Sequence, residues 1–556
     1  MYLIVALGVI IFILAIVARP YYSGSGVSSR SGVSSRERNG RVSSGHSLDT
    51  FPGMARYNRK SSPFGGDWNM LFRFLRTAPG GYSTSPARWA RLQDIRHLVV
   101  KSPMPGRIVL GEIRGISSNK LLAAECGHSL MVVGPTQSGK TTRLAIPAVL
   151  EWQGPVLVAS VKSDVAVNTL AERSRQGDVW IYDPTLSSGL SGSEWVGSIC
   201  GWSPLVNCRD WQGARKMARM LTDTSKSAMT GMNDADFWHL TAMKLIAPLL
   251  FAAARTDRTM ADVIRWLDRQ EVGEVADILD SAGVQEACDA AEATWKREER
   301  QRSSIYTTAE TILEVFYDPD VAQSERIGHY KGIPDPRTFI SSRDTLYLCA
   351  PAHDQRRCRT LMAAVVTNIV RAAYEVALAG GHPLNPSLLV VIDEAANVAP
   401  LADLDELAST AAGHGVQLVT IWQDLAQLNA RYAVRAASVI NNHRAKLFCS
   451  GISDVATLEH AGQLVGEADV LSTSNTYDRH GYSGRTHSST YRRLLPGDAL
   501  RRMPPGQAVL VYGSLPPAMI QLREPEYGYR SRYGAVSGQG MIRSARRAIS
   551  RRTSSL

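Results

Sequence analysis

The sequence has no paired cysteines and is short of charge in the places where charge would speak. Its seven cysteines (126, 200, 208, 288, 349, 358 and 449) are scattered, odd in number and free of any C-x-x-C pair. That excludes a zinc ribbon and a disulfide framework, and it fits buried thiols in a reducing compartment. Residues 1–18 contain no charged side chain, and residues 530–556 contain seven arginines but no acid. The net charge of +11 is held entirely by that tail and by residues 19–48, where five arginines face Glu37 alone. The body between is close to neutral. Bulk electrostatics therefore do not make it a nucleic-acid binder, and a DNA surface there has to be a local patch.

What is present is a folded chain of 556 residues, 44% hydrophobic and 20% charged, too long for a single core. As a helix, residues 1–18 reach about 27 Å, enough to cross a bilayer core, and the arginines that follow put the remainder in the cytoplasm. The alternative is a cleaved signal peptide; the lack of a basic residue before the apolar run weighs against it. Residues 19–48 read as a Gly/Ser/Arg linker, with SGVSSR at 25–30 repeated at once at 31–36. Residues 49–127 form a membrane-proximal region of mixed pattern. From His128 short apolar runs of the buried-strand kind appear, at 129–133, 156–161 and 179–182. Strand signals then vanish, and 237–254 and 307–316 have helical periodicity. They resume at 345–349, 388–392 and 416–422, with a long amphipathic helix over 357–378. This predicts an α/β domain in two parts, 128–207 and 331–529. An all-α insertion over 208–330 separates them, and a basic disordered tail over 530–556 closes the chain.

Gly134, Pro135, Thr136, Gln137, Ser138, Gly139, Lys140 and Thr141 match G-x-x-x-x-G-K-[ST] between a strand and a helix. The glycines let successive backbone N–H groups turn toward phosphate oxygens. The helix that follows, expected over 140–151 and carrying Thr142 in its first turn, adds the positive end of its dipole. In this reading Lys140 bridges the β- and γ-phosphates of ATP, and the Thr141 hydroxyl ligates Mg²⁺. The partner element is an apolar strand ending in an acid, and residues 388–392 followed by Asp393 and Glu394 supply it. Asp393 is expected in the Mg²⁺ shell, and Glu394 as the general base that polarises water. Gln423, ending the strand at 416–422, is expected to sense the γ-phosphate from the sheet's carboxyl edge.

Beyond these motifs the chain resembles the type IV secretion coupling proteins, the TraG/TraD group of conjugative DNA-transfer ATPases, from about 128 to 526. Trp202, Ser203, Pro204 and Leu205 stand where that family has W-N-P-L. Asp236, Phe237 and Trp238 open a long helix. Asp393 to Asn397 and Gln423 to Leu428 match its acidic and glutamine motifs, and Arg492 to Leu495, then 500–505 and 513–517, its closing strand region. Lys162, Ser163 and Asp164 depart from its D-P-K, and one apolar N-terminal segment stands where it commonly has two. The resemblance implies a RecA-like P-loop NTPase fold with a central, mostly parallel sheet. It also implies a homo-hexameric ring in the cell membrane, with a neighbour's arginine (Arg431, Arg435 and Arg444 are the candidates) completing each ATP site. The implied partners are single-stranded DNA held without sequence preference, a relaxase within its relaxosome, and the secretion channel. Two other functions share the motifs: a double-stranded DNA translocase of the FtsK/HerA type, and an ATP-dependent scaffold that docks secreted proteins.

Overall fold

The computed structural model describes residues 87–524, apart from 114–119, 162, 191–193, 227–234, 326–330, 350–354 and 478–482. The expected membrane helix, the linker, the basic tail and Lys162 lie outside the described residues. In chain order the first strands are β1 (Val99–Val100), β2 (Val109–Ile113), β3 (Lys120–Ala123) and β4 (Leu130–Val133). β5 (Val156–Ser160), β6 (Val179–Tyr182), β7 (Ile199–Gly201) and β8 (Lys331–Gly332) follow. Next come β9 (Thr345–Cys349), β10 (Leu388–Ile392), β11 (Val416–Trp422) and β12 (Ala445–Cys449). The last are β13 (Glu467–Tyr477), β14 (Ser483–Arg493), β15 (Gln507–Tyr512) and β16 (Ala518–Gln521).

Fourteen of these make one sheet in the order β1-β3-β2-β16-β15-β12-β4-β11-β10-β5-β9-β6-β7-β8, while β13 and β14 pair as a separate ribbon. From β12 to β8 every neighbour is parallel. From β12 outward through β15, β16, β2, β3 and β1 every neighbour is antiparallel. The strands of the central parallel block, β4, β5 and β9 to β12, are buried along their whole length, as strands covered on both faces must be. Their side chains alternate between two cores: Met131 and Val133 enter one, Leu130 and Val132 the other. Residues 99–123, hard to class from sequence, join the same sheet as its antiparallel edge. Their strands are short and only half-buried, so their hydrophobic period is weak.

Between β7 and β8 the described chain is helical throughout: α1 (Trp211–Lys226), α2 (Ala235–Arg255) and five further helices ending at Ser324. Because β7 and β8 pair in parallel, this segment is one very long crossover at the sheet edge remote from β4. The expected 357–378 helix is α3 (Gln355–Gly380), which follows β9 and runs back along the sheet. Phe237–Arg255 and Arg357–Gly380 are long and apolar enough to cross a membrane, yet 72% and 56% of their most apolar windows are buried inside the fold. Their apolarity serves the core.

Candidate nucleotide site

The site lies at the carboxyl ends of three adjacent parallel strands. β11 sits between β4, which leads into the phosphate loop, and β10, which ends in the acids. The loop starts by donating from Gly134 N to the Trp422 carbonyl at 3.1 Å, so it is pinned directly beside Gln423. Gln137 (φ 64°) and Gly139 (φ 90°) adopt left-handed conformations. For Gln137 that is a strained state of the kind active loops retain. A Cβ on Gly134 would meet Cys449 Cβ at 2.7 Å, so only glycine fits where the loop passes β12.

After the loop, residues 141–145 form a wide π turn before the α-helix at Ile146–Glu151. Ile146 donates to the Thr141 carbonyl, and Pro147 has no N–H with which to continue the regular ladder. The expected single helix over 140–151 therefore opens with one loosened turn.

Lys140 is buried, and its ammonium donates to the Gly134 carbonyl and to the Pro135 carbonyl at 2.7 Å. Burial pulls its pKa down, and Cys449, Asp393 and Glu394 oppose that shift electrostatically. Thr141 Oγ1 donates to Asp393 Oδ2 at 3.1 Å, and Ser160 Oγ, from the end of β5, donates to the same oxygen at 3.4 Å. Asp393 is 7% exposed. Burial pushes its carboxyl up, Glu394 pushes the same way, and Thr141, Lys140 and Ser160 hold it back. Glu394 takes a left-handed conformation (φ 60°), and its carbonyl accepts from Asn397 N at 2.8 Å and Val398 N at 3.1 Å. That turn stops the strand at once and leaves the Glu394 side chain half-buried beside Asp393. Gln423 N donates to Gln427 Oε1 at 3.4 Å, and Asp424 caps the next helix by accepting from Gln427 N at 2.8 Å.

The fold thus brings Lys140, Thr141, Asp393, Glu394 and Gln423 to one edge, although Thr141 and Asp393 are 252 residues apart in sequence. Thr136, Gln137 and Thr142 are exposed along the rim, Pro135 and Gly139 are half-buried, and Ser138 is buried. Oxygens on adjacent corners of an octahedral Mg²⁺ site, at about 2.1 Å from the metal, are about 3.0 Å apart. The 3.1 Å between Thr141 Oγ1 and Asp393 Oδ2 fits such a pair. Two neighbours were not legible beforehand. Ser160 becomes visible only once β5 is known to flank β10, and Cys449 only once β12 flanks β4. Of the arginine candidates, Arg435 is already engaged within the chain, with Asp405 at 3.2 Å and the Ala402 carbonyl at 2.7 Å.

The sequence pattern of the family described as Type IV secretory system Conjugative DNA transfer matches residues 88–539, well over half of the chain. The chain belongs to this family. Two Escherichia coli relatives, both conjugal transfer protein TraG, are 25% and 24% identical over 478 and 418 residues. These matches cover 76% and 67% of this chain, and 71% and 62% of those proteins. Among solved structures, the plasmid coupling protein TrwB in complex with ADP and Mg²⁺ superposes with a TM-score of 0.59 at 16% identity, over 81% of this chain and 98% of that one. At that identity the likeness establishes the fold that this family member shares.

Proposed function

We propose that this chain is the ATPase that couples ATP hydrolysis to conjugative DNA transfer. The observation that carries it is the contact of Thr141 with Asp393 at the mouth of the phosphate loop. A hydroxyl and a buried carboxylate at that spacing suit Mg²⁺, and a loop of inward N–H groups beside them suits a triphosphate. TrwB, whose fold this chain shares, is found in complex with ADP and Mg²⁺, which supports a nucleotide and a metal here. When bound, Mg²⁺ would neutralise charge developing on the phosphates. Lys140 would exchange its two carbonyl partners for phosphate oxygens. Glu394 would take the proton of the attacking water, and Gln423 would orient that water from the neighbouring strand.

At the finer level, the reading is a membrane-docked homo-hexamer, held by residues 1–18, that drives single-stranded DNA and its relaxase toward the secretion channel. The described helices between β7 and β8 leave from and return to the sheet edge remote from β4, which suits them to selecting cargo while the motor turns over. Phosphate release by the full chain tests the site. Lys140→Ala is expected to lower kcat by about 100-fold or more without changing the melting temperature. Undiminished hydrolysis would sink the assignment. Stimulation of hydrolysis by single-stranded in preference to double-stranded DNA would favour the cargo proposed here over a duplex translocase.

A further inference from the structure

The acids mark which way a nucleotide lies. Asp393 and Glu394 stand on the β10 side of the phosphate loop, so the γ-phosphate and metal belong there. The α-phosphate, ribose and base then extend the opposite way, over β12, β15 and β16. Arg143 is a cationic side chain at that end of the loop. Arg143, in the first turn after the loop, runs beneath Gly139: its Cδ is 2.7 Å from where a Cβ on Gly139 would sit. Its guanidinium ends beside Gly506, in the turn before β15. There a Cβ would meet Nη1 at 2.6 Å and Cζ at 3.0 Å, and Gly506 is itself left-handed (φ 85°). Gln521, at the end of β16, closes the far wall by donating from Nε2 to the Gly506 carbonyl at 2.9 Å. The side chain is 22% exposed, and among the described residues its buried Nη1 makes no hydrogen bond. Among the described residues it makes one ion pair, a loose one with Glu524 at 4.0 Å whose carboxylate is 71% exposed. A guanidinium this committed in position has one face backed by Gly506 and, with 22% of the side chain exposed, surface left for a ligand.

Building on the nucleotide site proposed above, we propose that Arg143, framed by Gly506 and Gln521, forms the base-and-ribose end of that site, with its guanidinium covering the face of a purine. Arginine suits this because its planar, weakly hydrated cation stacks on aromatic rings where an ammonium does not. The side chain also reads position along the nucleotide: it touches the part that ATP and ADP have and inorganic tripolyphosphate lacks.

Binding of ATP, ADP and tripolyphosphate, each with Mg²⁺, to the full chain by calorimetry tests this. Arg143→Met keeps the stem that fills the space under Gly139 and removes the guanidinium. It is expected to weaken ATP and ADP by about tenfold and to leave tripolyphosphate unchanged. Arg143→Gln, which keeps donors without a stacking cation, is expected to show the same split. Equal weakening of all three ligands would place the guanidinium on the phosphates and overturn the proposal. Unchanged ATP affinity would overturn it by making Arg143 a strut between two glycines. Wild-type protein that binds none of the three would remove the site beneath it, a failure distinct from either of those.

Discussion

A carboxylate held at the end of a buried strand is a costly group, and Asp393 has only hydroxyls and a shared lysine to offset its burial. Its raised pKa means that the ionised form is less favourable in the folded chain than in the unfolded one, so at neutral pH the carboxylate works against folding. Asp393→Asn is therefore expected to stabilise the nucleotide-free protein by roughly 1 kcal/mol while abolishing Mg²⁺-dependent nucleotide binding; melting scans with and without Mg²⁺ and ATP would check both halves. Glu325 gives the same sign of effect away from the site. Its Oε2 accepts from Met260 N at 3.2 Å, its Oε1 is buried with no partner among the described residues, and burial pushes its carboxyl up to about 8. Between the ordinary carboxylate range and about 8 the folded chain holds a proton that the unfolded chain has released. Stability from this group is thus present at low pH and falls as pH rises through that window, on the order of 1 kcal/mol per unit. Glu325→Gln should flatten the decline of melting temperature between pH 6 and 8, and an unchanged slope would remove Glu325 as its source.

The elements of the parallel block are tied together at their amino ends by one side chain. Arg173 is wholly buried and donates to the carbonyls of Trp152 (2.5 Å), Gly154 (2.8 Å) and Arg343 (2.9 Å), to Thr345 Oγ1 (2.7 Å) and to Gln176 Oε1 (2.8 Å). Arg173→Met should cost about 3 kcal/mol, read from the guanidinium chloride midpoint, because it leaves those buried acceptors unpaired. In sequence Arg173 is one more charge at a helix end, since Arg343 and Thr345, which it ties to Trp152 and Gly154, lie 170 and 172 residues away. The strands of the block were plain: β6, β9, β10 and β11 coincide with their apolar runs, and β4 and β5 differ from theirs by one residue. They could be read because burial on both faces makes every position apolar. β12 was missed because Lys446 interrupts the run, buried at 8% exposure with its ammonium on the His443 carbonyl at 2.6 Å. The phosphate loop and acidic strand were equally legible, since their chemistry restricts residue type at each position. Arg143 and Ser160 were not, because their places depend on which strands lie side by side.

The molecule as a whole does not come apart where its sequence pattern changes. Leu250, Phe251 and Trp266, from the helical segment, share one continuous core with Met131 and Val133 of the phosphate-loop strand. Residues 208–330 expressed alone are therefore expected to show no cooperative unfolding transition by circular dichroism; a sharp one would mark an independent domain. At the other edge the ladders thin out. β12 and β15 share five residue pairs and β15 and β16 share four, but β16 and β2 are joined by the single pair Gln521 and Glu112. That seam is held less by a ladder than by a shared core, with Leu110 and Leu122 packed in one cluster with Leu510 and Ile520, and by contacts such as Ala90 N to the Pro517 carbonyl at 2.8 Å. Packing is non-directional, so the outer strands can shift a little along this seam while the parallel block behind it keeps its register.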